Sequence, residues 1–259
     1  LDSTDKLILY PYTKQRKMKL DILAIGVHPD DVELSCSGTL LRHIEMGYSV
    51  GLLDLTLGEL GTRGTPQIRT QEAMQAAKLM GAKMRVQLDM ADGFFAHNEA
   101  NLLKIIHVIR QYRPEIVLAN ALDDRHPDHG RAAKLTADAC FLSGLIRIKT
   151  GQNTEGGQKA QEAWRPKYLY HYIQDRSLKP DFIVDISAYI ERKFELIMAY
   201  KSQFFNPQNG EPETPISSKA FLDSLRGKDA VYGRLLGVPY GEGFQAARTV
   251  GVTNLFDLI

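Results

Sequence analysis

Cysteine is scarce: Cys36 and Cys140 are the whole supply in 259 residues. That is too few for a disulfide framework, and no pair has zinc-ribbon spacing, so two core thiols in a reducing compartment are expected. An excess of either charge is also missing. The 32 basic side chains nearly cancel the 31 acidic ones, and no Lys/Arg stripe supplies the field that draws proteins onto nucleic acid or anionic membranes. No apolar run approaches the roughly 20 residues of a bilayer span, and no signal-peptide core with a small-residue cleavage site is present. The expectation is a cytoplasmic protein that acts on small molecules, with neither nucleic acid nor membrane as partner. Nucleotide-binding signatures are lacking as well. The first strand is not followed by Gly-x-Gly-x-x-Gly, and the run Gly58-Glu59-Leu60-Gly61-Thr62-Arg63-Gly64 lacks the Lys-Ser/Thr ending of a P-loop.

What is present is enough apolar sequence, 44% against 24% charged, for one large domain, since ordinary domains seldom exceed about 250 residues. Residues 1–17 precede a natural-looking start at Met18-Lys19-Leu20; they are set aside as a leader or added segment, and the domain is placed at 18–259. From Asp21 onward, short apolar runs alternate with helix-periodic stretches. That is the pattern of a single-domain α/β fold: a Rossmann-like, mostly parallel sheet with helices on both faces. Strands are predicted at residues 21–27, 49–55, 84–88 and 115–119, with helices at 37–46, 67–80 and 98–112 and a further helix after Asp128. Gly47 and Gly81 end the first two helices, and Pro114 follows the third. Beyond residue 150 the order loosens. A Gly/Gln-rich surface loop (151–163), strands at 168–173 and 182–186, a helix at 187–201, a proline-containing loop at 205–218, a helix at 219–236 and an irregular tail are expected.

The strongest signal is His28-Pro29-Asp30-Asp31 after the first strand, matched by His126-Pro127-Asp128-His129 after the fourth. Alone, either tripeptide His-Pro-Asp reads as a turn, with proline fixing φ and Asp capping the next helix. Together they read differently. In a doubly wound sheet of order 3-2-1-4, the first and fourth strands are neighbours, and the crevice where the winding reverses lies between their carboxyl ends. Imidazole and carboxylate donors brought together there suit Zn²⁺ in a three-ligand site with an open position, and suit Fe²⁺ less exclusively. Three His and three Asp in the two motifs exceed three ligands. The remainder would serve as base and as proton source for a leaving amine.

On these motifs the sequence resembles the LmbE-like (PIG-L) family of zinc-dependent N-acetylglucosamine deacetylases, from Lys19 onward. The stretches Asp124-Arg125-His126-Pro127-Asp128-His129-Gly130, Tyr200-Lys201-Ser202-Gln203-Phe204 and Glu242-Gly243-Phe244 are similar to the branch that deacetylates N-acetylglucosaminyl malate in bacillithiol synthesis. The resemblance implies His28, Asp31 and His129 as metal ligands and Asp30 as the base that deprotonates the attacking water. It places His126 near the leaving group, Asp128 as the group that orients and charges His126, and Arg69 in contact with substrate. It also implies a homo-oligomer. The first motif departs from the family's Asp-Asp-Glu by an inserted Val32, which leaves every implied ligand in place.

Arg63, in the glycine-rich run, is a further candidate for an anionic substrate group, with solvent exposure equally open. His43, His97, His107 and His171 have no motif around them; His107 falls in a helical apolar pattern. Tyr232 and Tyr240 could supply an oxyanion donor or a sugar-stacking ring, although most such tyrosines pack. Three functional classes stay open at this point. One is a deacetylase of N-acetylglucosaminyl malate or of another N-acetyl sugar such as a chitooligosaccharide or glycoconjugate. Another is a metal hydrolase of some other ester or amide. The last is a zinc-stabilised binding module, which would not need Asp30.

Overall fold

The computed structural model describes residues 8–9, 18–151, 160–208 and 210–258. Most of the predicted 151–163 loop lies outside the described residues. The centre of the molecule is a run of parallel strands. β2 (Ile22–Gly26) pairs on one side with β3 (Val50–Asp54) and on the other with β5 (Ile116–Ala119). β4 (Met84–Gln87) extends the sheet beyond β3, and β6 (Tyr168–Tyr172) extends it beyond β5. β8 (Gly241–Ala246) and β7 (Phe182–Asp185) follow antiparallel, completing an eight-stranded sheet of order β1-β4-β3-β2-β5-β6-β8-β7. The first four predicted strands therefore stand in the expected order. β1 (Ile8–Leu9) adds an antiparallel pair to β4, so two residues of the segment set aside as a leader take part in the sheet.

Alternation along β2 builds two cores. Leu23 and Ile25 point with Val117 into a cluster covered by α3 (Glu99–Tyr112) and α4 (Pro127–Leu142). Ile22 and Ala24 point the other way, onto α1 (Asp31–Glu45) and α2 (Pro66–Met80). A strand buried on both faces reads as a continuous apolar run, which is why these strands are plain in the sequence. A third cluster joins α2 to α5 (Ile190–Ile197) and α6 (Lys219–Leu236) through Ala73, Ile197, Tyr200 and Leu225. Cys36 and Cys140 are both buried and unpaired. No helix among the described residues is long and apolar enough to cross a membrane.

Three boundaries depart from the sequence reading. α1 starts at Asp31 rather than near 37, because its first turn is buried by polar partners and so carries no apolar periodicity. The helix expected at 187–201 is a 3-10 turn (Ser187–Tyr189) followed by the shorter α5. The tail expected to be irregular contains β8, whose Gly-Glu-Gly start hides a buried strand. Glu242 is almost wholly buried there, where it accepts the amides of Gly38 and Thr39 on α1 and pairs with Lys193 at 2.8 Å.

Candidate active site

The loop leaving β2 turns sharply into α1, and Asp30, the residue before the helix, sits at φ 112°. A non-glycine residue in that region costs about 1–3 kcal/mol and persists only where its surroundings hold it. Asp31 opens the helix. Its Oδ2 accepts the amides of Val27 (2.9 Å) and His28 (3.0 Å) and the Asn120 amide group (2.9 Å), while Oδ1 accepts Gln174 Nε2 at 3.1 Å. Strand β5 delivers the second motif beside it. Pro127 occupies the first turn of α4, and His126 caps that helix through Nδ1, which accepts the Asp128 amide at 3.3 Å. The two motifs meet: the rings of His28 and His126 are 4.7 Å apart, and those of His126 and His129 stack at 5.2 Å.

Among the described residues, potential metal ligand atoms gather within 4.8 Å of one another in two sets, His28/His126/His129 and His28/Asp92/Asp128. Asp31 lies beside two members of the first set, with Oδ1 3.2 Å from His129 Nε2 and Oδ2 3.9 Å from His28 Nδ1. The outer nitrogens decide which side fits a cation. His28 Nε2 faces Asp92 Oδ1 at 2.9 Å, and His129 Nδ1 faces Asp124 Oδ2 at 2.5 Å. That is the carboxylate–histidine arrangement that aims the opposite nitrogen at a metal. On the other side, the Arg131 guanidinium already lies 2.8 Å from Asp128 Oδ1, and its charge opposes a cation there. The donor chemistry therefore fits a divalent ion between His28 Nδ1, Asp31 and His129 Nε2.

The electrostatics favour positive charge at the same place. Burial alone would lower both imidazoles. For His28, hydrogen bonds to Asp128 and Asp92 and the charge of Asp31 outweigh it and push the pKa up to about 10. For His129, the charge of Asp31 and hydrogen bonds to Asp124 and Asp31 raise it to about 9. Asp31 is held well below the usual carboxylate range, since His129 and His28 outweigh its burial. Asp30 goes the other way: burial, with a contribution from Asp31 and against the pull of Arg69, raises it to about 7. His126 is lowered by burial and by the charges of His28 and His129.

These groups line one cavity of about 530 Å³, together with Arg69, Arg125, Gln174 and Lys228. Arg69 reaches it from the first turn of α2, where Thr65 caps the helix. Its Nη2 donates to Pro29 O (2.8 Å) and to Asp30 Oδ2 (3.2 Å), and its Nη1 donates to Gly58 O (3.0 Å). Gly58 is required twice over: its φ is +65°, and a Cβ there would lie 2.0 Å from Arg69 Nη1.

The remaining candidate residues take varied places. The carboxylate of Asp128 is not on the His126 ring. It accepts the Gly93 amide (2.8 Å) and Arg131, and lies 3.6 Å from His28 Nε2, so Asp128 orients His126 through its backbone N–H and acts on the ring through its charge, which opposes the lowering of the His126 pKa. Arg63 is not in the cavity wall. It turns into the 205–218 loop and donates to the carbonyls of Pro212 (2.5 Å) and Glu211 (3.1 Å). Tyr232 gives its hydroxyl to Leu178 O, and neither it nor Tyr240 lines the cavity. His97 faces Asp138 at the surface, His171 holds Asn120 O at 2.8 Å, and His107 is lowered by burial at the core boundary. Asp92, Asn120 and Gln174 were not singled out from sequence. Asp92 had a signal in its place after the third strand, while Asn120 and Gln174 had none.

A buried, doubly wound α/β site with two imidazoles and a carboxylate converging at the strand ends defines the class: an α/β enzyme fold with a candidate metal centre. Comparison with known proteins gives the family. Residues 23–140 match the PIG-L model, GlcNAc-PI de-N-acetylase. A conserved protein of Thermus thermophilus with a crystal structure is 35% identical, with a TM-score of 0.79 over 91% of this chain and 98% of that one. The chain belongs to the PIG-L (LmbE-like) deacetylase family. Diacetylchitobiose deacetylase of Thermococcus kodakarensis is 28% identical over 95% of this chain and 88% of its own length. 4-Oxalmesaconate hydratase of Pseudomonas putida is 23% identical over 92% and 85%. The bacillithiol branch is a more distant match: a probable N-acetyl-alpha-D-glucosaminyl L-malate deacetylase of Bacillus anthracis is 21% identical over 73% of this chain and 83% of its own length.

Proposed function

We propose that this chain is a zinc-dependent hydrolase that removes the acetyl group from a small molecule containing N-acetylglucosamine, with N-acetylglucosaminyl malate as the substrate. The observation that carries the reading is the convergence of His28 Nδ1, Asp31 and His129 Nε2, with Asp92 and Asp124 behind the two rings and Asp30 beside them. Two nitrogens and an oxygen suit zinc, with Fe²⁺ the alternative. A bound divalent ion supplies Lewis acidity, which polarises an amide carbonyl and acidifies water.

The protein side of the reaction follows from its own groups. Asp30, buried and raised to about 7, takes the proton of the attacking water and then holds a proton that the departing amine needs. Arg69 fixes the Asp30 carboxylate at 3.2 Å and keeps it aimed. His126 has Nδ1 committed as acceptor to the Asp128 amide, so the neutral ring carries its proton on Nε2. With its pKa lowered, His126 serves as a neutral hydrogen-bond donor to the oxygen that becomes negative at the tetrahedral carbon, rather than as an imidazolium. Asp92 and Asp128 hold His28 in its tautomer. A binding module would have no use for a buried, strained carboxylate beside the ligand set. We place the enzyme in the cytoplasm as a homo-oligomer, a reading supported by the family resemblance and by two buried, unpaired cysteines.

A second substrate reading, diacetylchitobiose, is favoured by the 28% identity to a diacetylchitobiose deacetylase over 95% of this chain. The test is acetate release by zinc-loaded protein from N-acetylglucosaminyl malate, diacetylchitobiose and free N-acetylglucosamine. A higher kcat/KM on the malate conjugate supports the first reading, and a higher value on the disaccharide replaces it with the second. Release from none of them, with hydration of 4-oxalmesaconate instead, would contradict both.

A further inference from the structure

The cations that line the cavity differ in how they are matched. Arg69 is paired with Asp30, and Arg125 gives Nε to Asp175 Oδ2 at 2.5 Å. Lys228, on α6, makes no ion pair among the described residues. Its Nζ donates to the backbone carbonyls of Gln174 (2.5 Å) and Ile173 (3.4 Å). The neighbouring carboxylate, Asp229, is held by Lys193 at 2.8 Å, and Lys193 also holds Glu242 at 2.8 Å. That pairing anchors the buried side of α6 and leaves Lys228 on the cavity side. An ammonium has three N–H donors and a full charge; two donors meet carbonyl dipoles and a third is left for the cavity.

Its position relative to the chemistry is set by one residue. Gln174 accepts Lys228 at its carbonyl, while its side-chain amide donates to Asp31 Oδ1 at 3.1 Å. Gln174 therefore links the ammonium to the carboxylate of the proposed metal centre, and all three residues line the same cavity. A sugar whose acetamide sits at the centre would share that cavity with Lys228. Burial pushes the Lys228 pKa down to about 8, as expected of a cation short of a carboxylate partner.

We infer that Lys228 is a specificity-determining residue, selecting acetylated sugars that carry a carboxylate-bearing substituent. This rests on the deacetylase reading and replaces Arg63, which is tied to the carbonyls of Glu211 and Pro212, as the receiver of the anion. A charge-assisted hydrogen bond in such a site discriminates by about tenfold to hundredfold.

The test uses the full zinc-loaded chain carrying Asp30→Asn, so that ligand is not consumed, and measures calorimetric affinity for N-acetylglucosaminyl malate and for the methyl glycoside of N-acetylglucosamine. The malate conjugate should bind about tenfold to hundredfold more tightly. Adding Lys228→Met should bring the ratio of the two affinities close to one, and Lys228→Arg should restore most of it; melting temperatures establish that each variant is folded. An unchanged ratio in Lys228→Met, equal binding of both ligands in the Asp30→Asn protein, or binding of neither overturns the inference. Acetate release by the parent from any of these sugars is scored separately, so the deacetylase reading can stand when the role of Lys228 falls.

Discussion

Asp30 combines a strained backbone with a buried carboxylate, and its substitution separates base from ligand. Asparagine tolerates left-handed backbone better than other non-glycine residues, so Asp30→Asn should keep the turn at φ 112°. It should retain bound metal and lose roughly 10²–10⁴ in kcat; a loss below about tenfold at full metal occupancy would remove it from the base position. The groups behind the ligands make a different prediction. Asp124→Asn weakens the hold on His129 Nδ1 without removing a ligand. Metal affinity should fall about 10–100-fold, against a much larger loss for His129→Ala, and competition with a fluorescent chelator measures both. At this scale the motif residues were legible because His-Pro-Asp recurs at two strand ends. Gln174 and Asn120 were not, since a side-chain amide that touches Asp31 leaves no periodicity, charge or motif behind. Arg63 and Tyr232 stayed open for the opposite reason: their chemistry suits a site, but their side chains turn to the carbonyls of Pro212 and Leu178.

The elements carry the site to its place through buried charge as well as apolar packing. Arg85 on β4 is buried; it grips Asp54 at the end of β3 with two bonds of 2.7 Å and donates to Glu33 in the first turn of α1 at 2.6 Å. Arg85→Met would strand both carboxylates, a cost of about 3–5 kcal/mol, and should lower the melting temperature by roughly 6–20 °C. A drop of under about 2 °C by calorimetry would show that the network does not anchor α1. The glycine-rich loop makes a subtler prediction. Gly58→Ala places a methyl group against Arg69, so kcat should fall while metal content stays constant; unaltered kcat would mean that Arg69 does not need its present position. Strands β2, β3 and β5 were readable because their buried residues are almost all apolar, and β4 was readable from Met84, Val86 and the following Leu88 despite buried Arg85 and Gln87. The first turn of α1 and strand β8 were not, because Asp31, Glu33 and Glu242 are buried by ion pairs and backbone amides, and pattern reading scores such residues as exposed.

The winding of the whole sheet is what converts two distant motifs into one cavity. β2 and β5 are neighbours with Ile22 opposite Ile116, so loops far apart in the chain open at the same edge. The order of the central strands was legible from their alternation with helices, whereas the antiparallel β6–β8–β7 extension was not, because its chain order carries no such rule. If a divalent ion joins these elements, it stabilises the folded state by mass action: zinc at about 100 times its dissociation constant contributes about 2.7 kcal/mol. The melting temperature should fall on chelation and recover with zinc, and a melting temperature indifferent to both would argue against a resident ion. The most direct measurement of the central claim is acetate release from N-acetylated glucosamine substrates during titration of metal-stripped protein with zinc. Activity should rise linearly and break at one zinc per chain in the parent, with the same stoichiometry of binding but almost no acetate in Asp30→Asn. Full activity in the metal-stripped protein, or a break that survives removal of His28 and His129, would contradict it.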